Sequence, residues 1–287
     1  MKLSVIIPCY NEAGTISGQL EALTTQQWYE PWEIIISDNG STDETVAIAE
    51  QYQERLPNLQ IVDSSGQQGA AHARNVGASA ATGEALAFCD ADDEVAPGWV
   101  AAMGEALSQH DFVAGKREYN KLNDPLTLKS RFLTQVDGLQ KYSYPPYLPH
   151  ASSSNFGIRR SIHDAVGGFD ESMFKLQDTD YCWRVQLAGT KLHFVPEAII
   201  HYRFRSNLAA IYRQSRLGGE YNVLLYKKFR PLGMPELSWK KGVEAWWRLF
   251  KRFPQLFSER ERARWISDFG RRWGRLQGCI KYQVLAL

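Results

Sequence analysis

The run Ala85-Leu86-Ala87-Phe88-Cys89, followed at once by Asp90-Ala91-Asp92-Asp93, constrains this chain more than any other stretch. A short apolar run bounded by Thr82-Gly83 and Ala96-Pro97-Gly98 reads as a buried strand of an α/β domain. Ligands of open α/β sheets bind outside the carboxyl ends of the strands, and here that end bears three carboxylates. Crowded carboxylates repel, and a hard cation such as Mg²⁺ or Mn²⁺, shared with substrate phosphates, relieves the repulsion. The first expectation is a metal-assisted nucleoside diphosphate site. A solvated acidic turn ahead of a helix beginning near Pro97 accounts for the same residues equally well.

With 287 residues the chain can bury a sizeable core, as one large domain or one domain with an appendage. Cys9, Cys89, Cys182 and Cys279 are scattered without a C-x-x-C pair, which argues against zinc and a disulfide framework and fits a reducing cytoplasm. The apolar start, residues 3–7, is too short for a signal peptide and is stopped by Pro8; no later window is apolar enough for a spanning helix. A cytoplasmic protein is expected, with a peripheral position at the inner face of the membrane as its possible extension. The net charge of +1 conceals an asymmetry: residues 201–287 hold 19 Lys and Arg against 6 Asp and Glu, and residues 1–200 hold 14 against 26. The basic, Trp-rich third suggests an anionic surface, with membrane headgroups ahead of nucleic acid, and no nucleic-acid partner is expected.

In chain order, residues 3–7 and 33–37 read as strands around a helix carrying Ile16, Leu20 and Leu23. Asp38-Asn39-Gly40-Ser41-Thr42 then forms a turn, with Ser41 or Thr42 as N-cap of the next helix. Asp38, just past a strand, can accept hydrogen bonds from a base or ribose, although turn formation explains it as well. Residues 59–62 form a strand, and a glycine-bearing loop from Gly66 runs into an Ala-rich helix on which Arg74 can reach a phosphate or base. No G-x-G-x-x-G follows the first strand and no Walker lysine is present, which counts against a dinucleotide dehydrogenase and a P-loop enzyme. A helix follows near residues 97–107. Residues 118–150 lose periodicity and read as a substrate-facing loop or a plain surface excursion. Residues 177–189 give a helix with an acidic N-terminus and a glycine stop; Asp178 or Asp180 at its mouth suits a general base or a cap. His201 ends an apolar strand, as a metal ligand or a hydrogen-bonded surface residue.

Taken together, Val5-Ile6-Ile7-Pro8-Cys9-Tyr10-Asn11-Glu12, Ile35-Ile36-Ser37-Asp38, Ala73-Arg74-Asn75, the Asp90-Ala91-Asp92-Asp93 DxD motif, Gly167-Gly168-Phe169-Asp170, Gln177-Asp178-Thr179-Asp180 and Pro196-Glu197-Ala198-Ile199-Ile200-His201 resemble the family 2 glycosyltransferases of the GT-A fold. The resemblance covers residues 1–204 and implies an α/β, GT-A (Rossmann-like) mixed sheet flanked by helices; outside it, residues 205–287 read from their apolar spacing as a basic, Trp-rich helical extension. It implies inverting, metal-dependent transfer of a sugar from a nucleoside diphosphate, UDP preferred, to an acceptor hydroxyl of a glycan, a lipid-linked glycan or another glycoconjugate. Pro8, Tyr10, Glu12 and Asp38 would line the nucleoside pocket, and Arg74 would approach the base or diphosphate. Asp90 and Ala91 would touch the nucleotide, Asp92 the Mg²⁺ or Mn²⁺ ion, and His201 the metal or diphosphate. Asp178 would be the base, with Asp180 as the fallback. Gln177 departs from the Glu that the family often carries there. A nucleotide-sugar binding protein without turnover and a nucleotidyltransferase are the competing readings; the latter wants a glycine-rich basic loop after the first strand, which Pro8-Cys9-Tyr10-Asn11-Glu12 does not offer.

Beyond the resemblance, Trp239, Val243, Trp246, Trp247 and Phe250 share one helical stripe, and Trp265, Phe269, Trp273, Leu276 and Ile280 another, both flanked by Lys and Arg. They suit peripheral membrane contact, or a packed helical cap or dimer interface with solvated basic faces.

Overall fold

The computed structural model describes residues 1–204 and 207–286, apart from the side chains of residues 126, 130, 259 and 260. The chain divides into two compact units, the first comprising residues 1–122, 134–140 and 149–203, the second residues 123–133, 141–148 and 204–287. The aperiodic stretch expected between 118 and 150 is thus shared between them, and it carries a short helix, Pro125–Ser130. The extension expected to begin at residue 205 starts on a residue outside those described.

The first unit is built on eight strands: β1 Leu3–Cys9, β2 Trp32–Asp38, β3 Leu59–Asp63, β4 Ala85–Cys89, β5 Glu94–Val95, β6 Phe112–Glu118, β7 Asn155–Arg159 and β8 Leu192–His201. They lie in the order β3-β2-β1-β4-β7-β6-β8-β5. β1 runs parallel to β2 and β4, and β2 to β3, whereas β7 is antiparallel to both β4 and β6. The helices are α1 Ile16–Thr24, α2 Thr45–Gln51, α3 Ala70–Ala80, α4 Trp99–Gln109, α6 Arg160–Ala165 and α7 Gln177–Leu187, with α5 the short Pro125–Ser130 segment of the second unit.

Side chains alternate across a strand, so each strand feeds two cores. Leu3, Val5, Ile7, Ile34, Ile36, Ala85 and Ala87 join Leu20 and Leu23 of α1 and Trp99 and Met103 of α4. Ile6, Ile35, Leu86, Phe88, Phe112 and Phe156 join Ala71 and Ala78 of α3 and Tyr181 and Val185 of α7. Apolar cover on both faces is why β1 and β4 are near-continuous apolar runs.

Two local expectations change. α2 begins at Thr45, without Ser41 or Thr42 as its cap. Those residues brace the Asn11 turn instead: Asn11 N–H donates to Ser41 Oγ at 2.9 Å and Thr42 N–H to Asn11 Oδ1 at 2.8 Å. The segments 191–196 and 198–202 form one strand, β8, whose pairing with β6 shifts register between Gly115 and Lys116. A Cβ on Gly115 would lie 2.0 Å from the Ala198 carbonyl oxygen, so the bulge requires glycine. Beyond the shift, Glu118 faces His201.

The second unit contains α8 Leu208–Phe229, α9 Trp239–Lys251 and α10 Glu259–Tyr282. α8 and α10 run side by side in one direction: Gly270 lies against Tyr212, Gly274 against Arg216 and Gly278 against Glu220. A Cβ would come within 1.8 Å of the Arg216 carbonyl oxygen at Gly274 and 2.0 Å of the Arg271 carbonyl oxygen at Gly219. The G-x-x-x-G-x-x-x-G spacing of α10 therefore sets how closely the two backbones approach. No helix among the described residues is long and apolar enough to cross a membrane.

Candidate active site

The acidic loop leaves the carboxyl end of β4, and two neighbours outside the loop fix its backbone. Buried Gln19 of α1 donates through Nε2 to the Asp90 carbonyl at 3.1 Å and accepts from Val95 N–H at 2.8 Å. Arg203 donates through Nε to the Asp92 carbonyl at 3.0 Å and through its backbone N–H to Asp93 Oδ1 at 2.8 Å. One carboxylate oxygen from each of Asp90, Asp92 and Asp93 lies within 4.8 Å of the others. Asp93 is buried and its Oδ2 receives no donor. Burial and the negative charges of Asp92 and Asp90 push the Asp93 carboxyl well above the usual range. A crowded trio with one orphaned, buried oxygen fits a divalent cation bound through oxygen. Gln19 was not singled out as a site residue in the sequence, since a buried glutamine bonded to a loop backbone leaves no periodic signal; Asp93 was read as one of the three crowded carboxylates.

Arg74 on α3 donates through Nη2 to Asp90 Oδ1 at 2.6 Å. With the Gln177 amide oriented to satisfy both neighbours, its oxygen accepts from Arg74 Nη1 at 2.8 Å and its nitrogen donates to the Met173 carbonyl. Arg74 thus joins the acidic loop to the first turn of α7. Asp178, half-buried in that turn, accepts from Thr179 N–H at 2.8 Å. Its charge is felt by His150, whose imidazole burial holds down at about 4 against the upward pull of Asp178. Asp180 is fully enclosed and bonded through Oδ2 to Arg184 Nε at 2.7 Å, an arrangement that suits it to structure rather than to the fallback role of base.

Asn75 holds the Gly167-Gly168 turn, where both glycines have positive φ, by accepting from Phe169 N–H at 2.8 Å and donating to the Phe169 carbonyl at 2.9 Å.

Asp38 ends β2, and its Oδ2 accepts from Gly40 and Ser41 N–H at 3.2 and 3.0 Å. Its Oδ1 is buried without a donor. Pro8 lies in β1, Tyr10 is exposed just beyond it, and Glu12 accepts from the Thr15 hydroxyl at 2.7 Å. His201 does not join the aspartate cluster; its Nδ1 meets Glu118 Oε2 at 2.7 Å. Burial raises the Glu118 carboxyl, but hydrogen bonds from His201 and from Asn120 and Lys121 N–H outweigh it and hold the group at about 2. A carboxylate on one ring nitrogen is the usual support of a histidine that ligates through the other.

Solved structures share this fold. The mannosyltransferase PcManGT from Pyrobaculum calidifontis, in complex with GDP-Man and Mn²⁺, superposes with a TM-score of 0.68 at 17% identity, over 97% of this chain and 87% of that one. TarS 1–349 of S. aureus in complex with UDP-GlcNAc gives 0.57 at 18% identity, over 99% and 93%. The fold is that of the GT-A glycosyltransferases.

Sequence narrows it further. Residues 4–167 match the profile of glycosyl transferase family 2, and the chain belongs to that family. Glycosyltransferase AglE of Haloferax volcanii is 31% identical over 219 residues, covering 75% of this chain and 71% of AglE. The uncharacterized glycosyltransferase YwdF of Bacillus subtilis is 28% identical over 246 residues, covering 84% and 87%.

Proposed function

We propose that this glycosyltransferase moves a sugar from a nucleoside diphosphate, UDP by preference, to an acceptor hydroxyl of a glycan or lipid-linked glycan, with inversion. The supporting observation is the Asp90–Arg74–Gln177 connection, which ties the acidic loop to the turn bearing Asp178. Asp178 takes the acceptor proton as the acceptor oxygen bonds to the anomeric carbon and the bond to the diphosphate breaks. A single displacement of that kind inverts the carbon. Asp38 Oδ1 is free to accept an N–H from the base, a feature uracil offers, and guanine and thymine share it. Pro8, Tyr10 and Glu12 border that pocket, and Ala91 and Asp90 meet the nucleotide beside it.

Asp92, flanked by Asp90 and Asp93, would hold Mg²⁺ or Mn²⁺, and His201 keeps Nε2 for a second contact with the ion or the diphosphate. When bound, such an ion neutralises charge on the departing diphosphate. Arg74 keeps Asp90 oriented in the absence of nucleotide, so the loop need not reorganise on binding.

Thermal stabilisation by UDP, GDP, TDP and CDP, each with Mn²⁺ and with EDTA, tests the reading. One nucleotide should raise the melting temperature only with metal, and Asp92→Asn should erase the shift. No shift with any nucleotide would overturn the proposal.

A further inference from the structure

We propose that α9 and the turn that follows it form a docking face for an anionic lipid bilayer. At about 100° per residue, α9 carries three adjoining arcs. Gly242 and Leu249 form a buried edge. Next come the aromatic and apolar residues Trp239, Val243, Trp247 and Phe250, exposed at 56%, 55%, 62% and 61%. Lys240, Lys251, Arg248 and Lys241 follow on the far side, interrupted only by Glu244. The turn at residues 253–257 adds exposed Phe253 and Phe257 to the same run of sequence.

The rotational setting of the helix is fixed. Trp265 Nε1 donates to the Leu249 carbonyl at 3.2 Å, and Arg272 Nε to the Ala245 carbonyl at 3.0 Å. These bonds from α10 hold the Leu249 edge inward and leave the aromatic arc facing outward. The second stripe divides: Trp265 is buried and stacks on Phe269 at 5.5 Å, whereas Trp273 and Ile280 are exposed.

Single exposed apolar residues are ordinary, but a row of six large ones beside a basic arc marks an interaction surface. Charge selects its occupant. Residues 201–287 hold 19 basic against 6 acidic side chains, so two copies of this face repel each other and an anionic surface attracts it. None of Lys240, Lys241, Arg248 and Lys251 forms an ion pair among the described residues, and Lys251 lies over the Trp247 ring, which leaves their charge available to headgroups. Trp and Phe rings enter the headgroup boundary while the Lys stems reach outward, the arrangement of a helix lying in the membrane plane.

Flotation of the full chain with phosphatidylcholine vesicles, with and without roughly 30 mol% phosphatidylglycerol, tests this at about 0.15 M salt. The protein should float with the anionic vesicles alone, and dibromo-acyl lipids should quench its Trp fluorescence. Trp247→Ser with Phe250→Ser should weaken flotation by about tenfold or more, and Lys240→Glu with Lys241→Glu likewise, while helicity and melting temperature stay unchanged. The positions are exposed, and the brominated-lipid measurement on the unaltered chain stands even if a variant misfolds. Absence of flotation, flotation equal in the aromatic variant, or a dimer in solution that the aromatic variant converts to monomer would each overturn the proposal. Nucleotide-induced stabilisation, measured on the same samples, separates this result from the fate of the catalytic reading.

Discussion

Arg74 and Asp90 form an ion pair of 2.6 Å in which the arginine side chain is only 4% exposed. The guanidinium offsets one of three crowded carboxylates, and removing it leaves that repulsion uncompensated. Arg74→Met should lower stability by about 2 kcal/mol, less than the 3–5 of a fully buried pair because Asp90 keeps solvent contact. Mn²⁺ should restore more of the melting temperature in this variant than it adds to the unaltered chain. An equal Mn²⁺ increment in both would argue against a cation at the cluster.

Gln177 shares the same guanidinium. Gln177→Glu turns a charge-assisted hydrogen bond into an ion pair with Arg74 while losing the donor to the Met173 carbonyl, and Gln177→Ala removes both contacts. Melting temperatures should fall in the order Glu, Gln, Ala, with about 1 kcal/mol lost in the alanine variant. The reverse order would mean that Arg74 does not rely on residue 177.

Much of this site was legible in the sequence because its parts sit at strand ends. Asp38 closes β2, Asp90 follows β4 and His201 closes β8, so an apolar run followed by a polar residue announces each. What supports them was not legible. Gln19 and Arg203 act through loop backbone, Glu118 reaches His201 only because of the Gly115 bulge, and Gln177 meets Arg74 across about a hundred residues of chain. Periodicity describes one element at a time and carries no information on such crossings. Likewise the two aromatic stripes looked alike in sequence, yet only the second buries a tryptophan, Trp265.

The close approach of α10 to α8 gives a paired test. Gly274→Ala drives a methyl into the Arg216 carbonyl and should cost several kcal/mol, about 2 or more, by forcing α8 and α10 apart. Gly218→Ala meets nothing within 4 Å and should stabilise α8 by about 0.5–1 kcal/mol. Urea midpoints by circular dichroism check both signs.

Acid should destabilise the first unit through His163. Burial lowers its imidazole from 6.5 to about 4, with Nδ1 2.8 Å from the Tyr181 hydroxyl. The native state therefore favours the neutral ring, so this contribution is complete above pH 6.5 and is lost as pH falls toward 4. His163→Gln should flatten the decline in stability between pH 8 and 5 by about 2 kcal/mol, read from urea midpoints.

The most direct test of the account is proton NMR of the sugar released when the donor identified by thermal shift is hydrolysed by the enzyme, alongside Asp178→Asn. Inversion at a base-assisted centre predicts that the anomer opposite to the donor's appears first. It also predicts that Asp178→Asn slows release by about 10²–10⁴-fold while nucleotide affinity is unchanged. Early release of the same anomer as the donor, or an Asp178→Asn variant as fast as the unaltered chain, would contradict the assignment of Asp178 and the single displacement together.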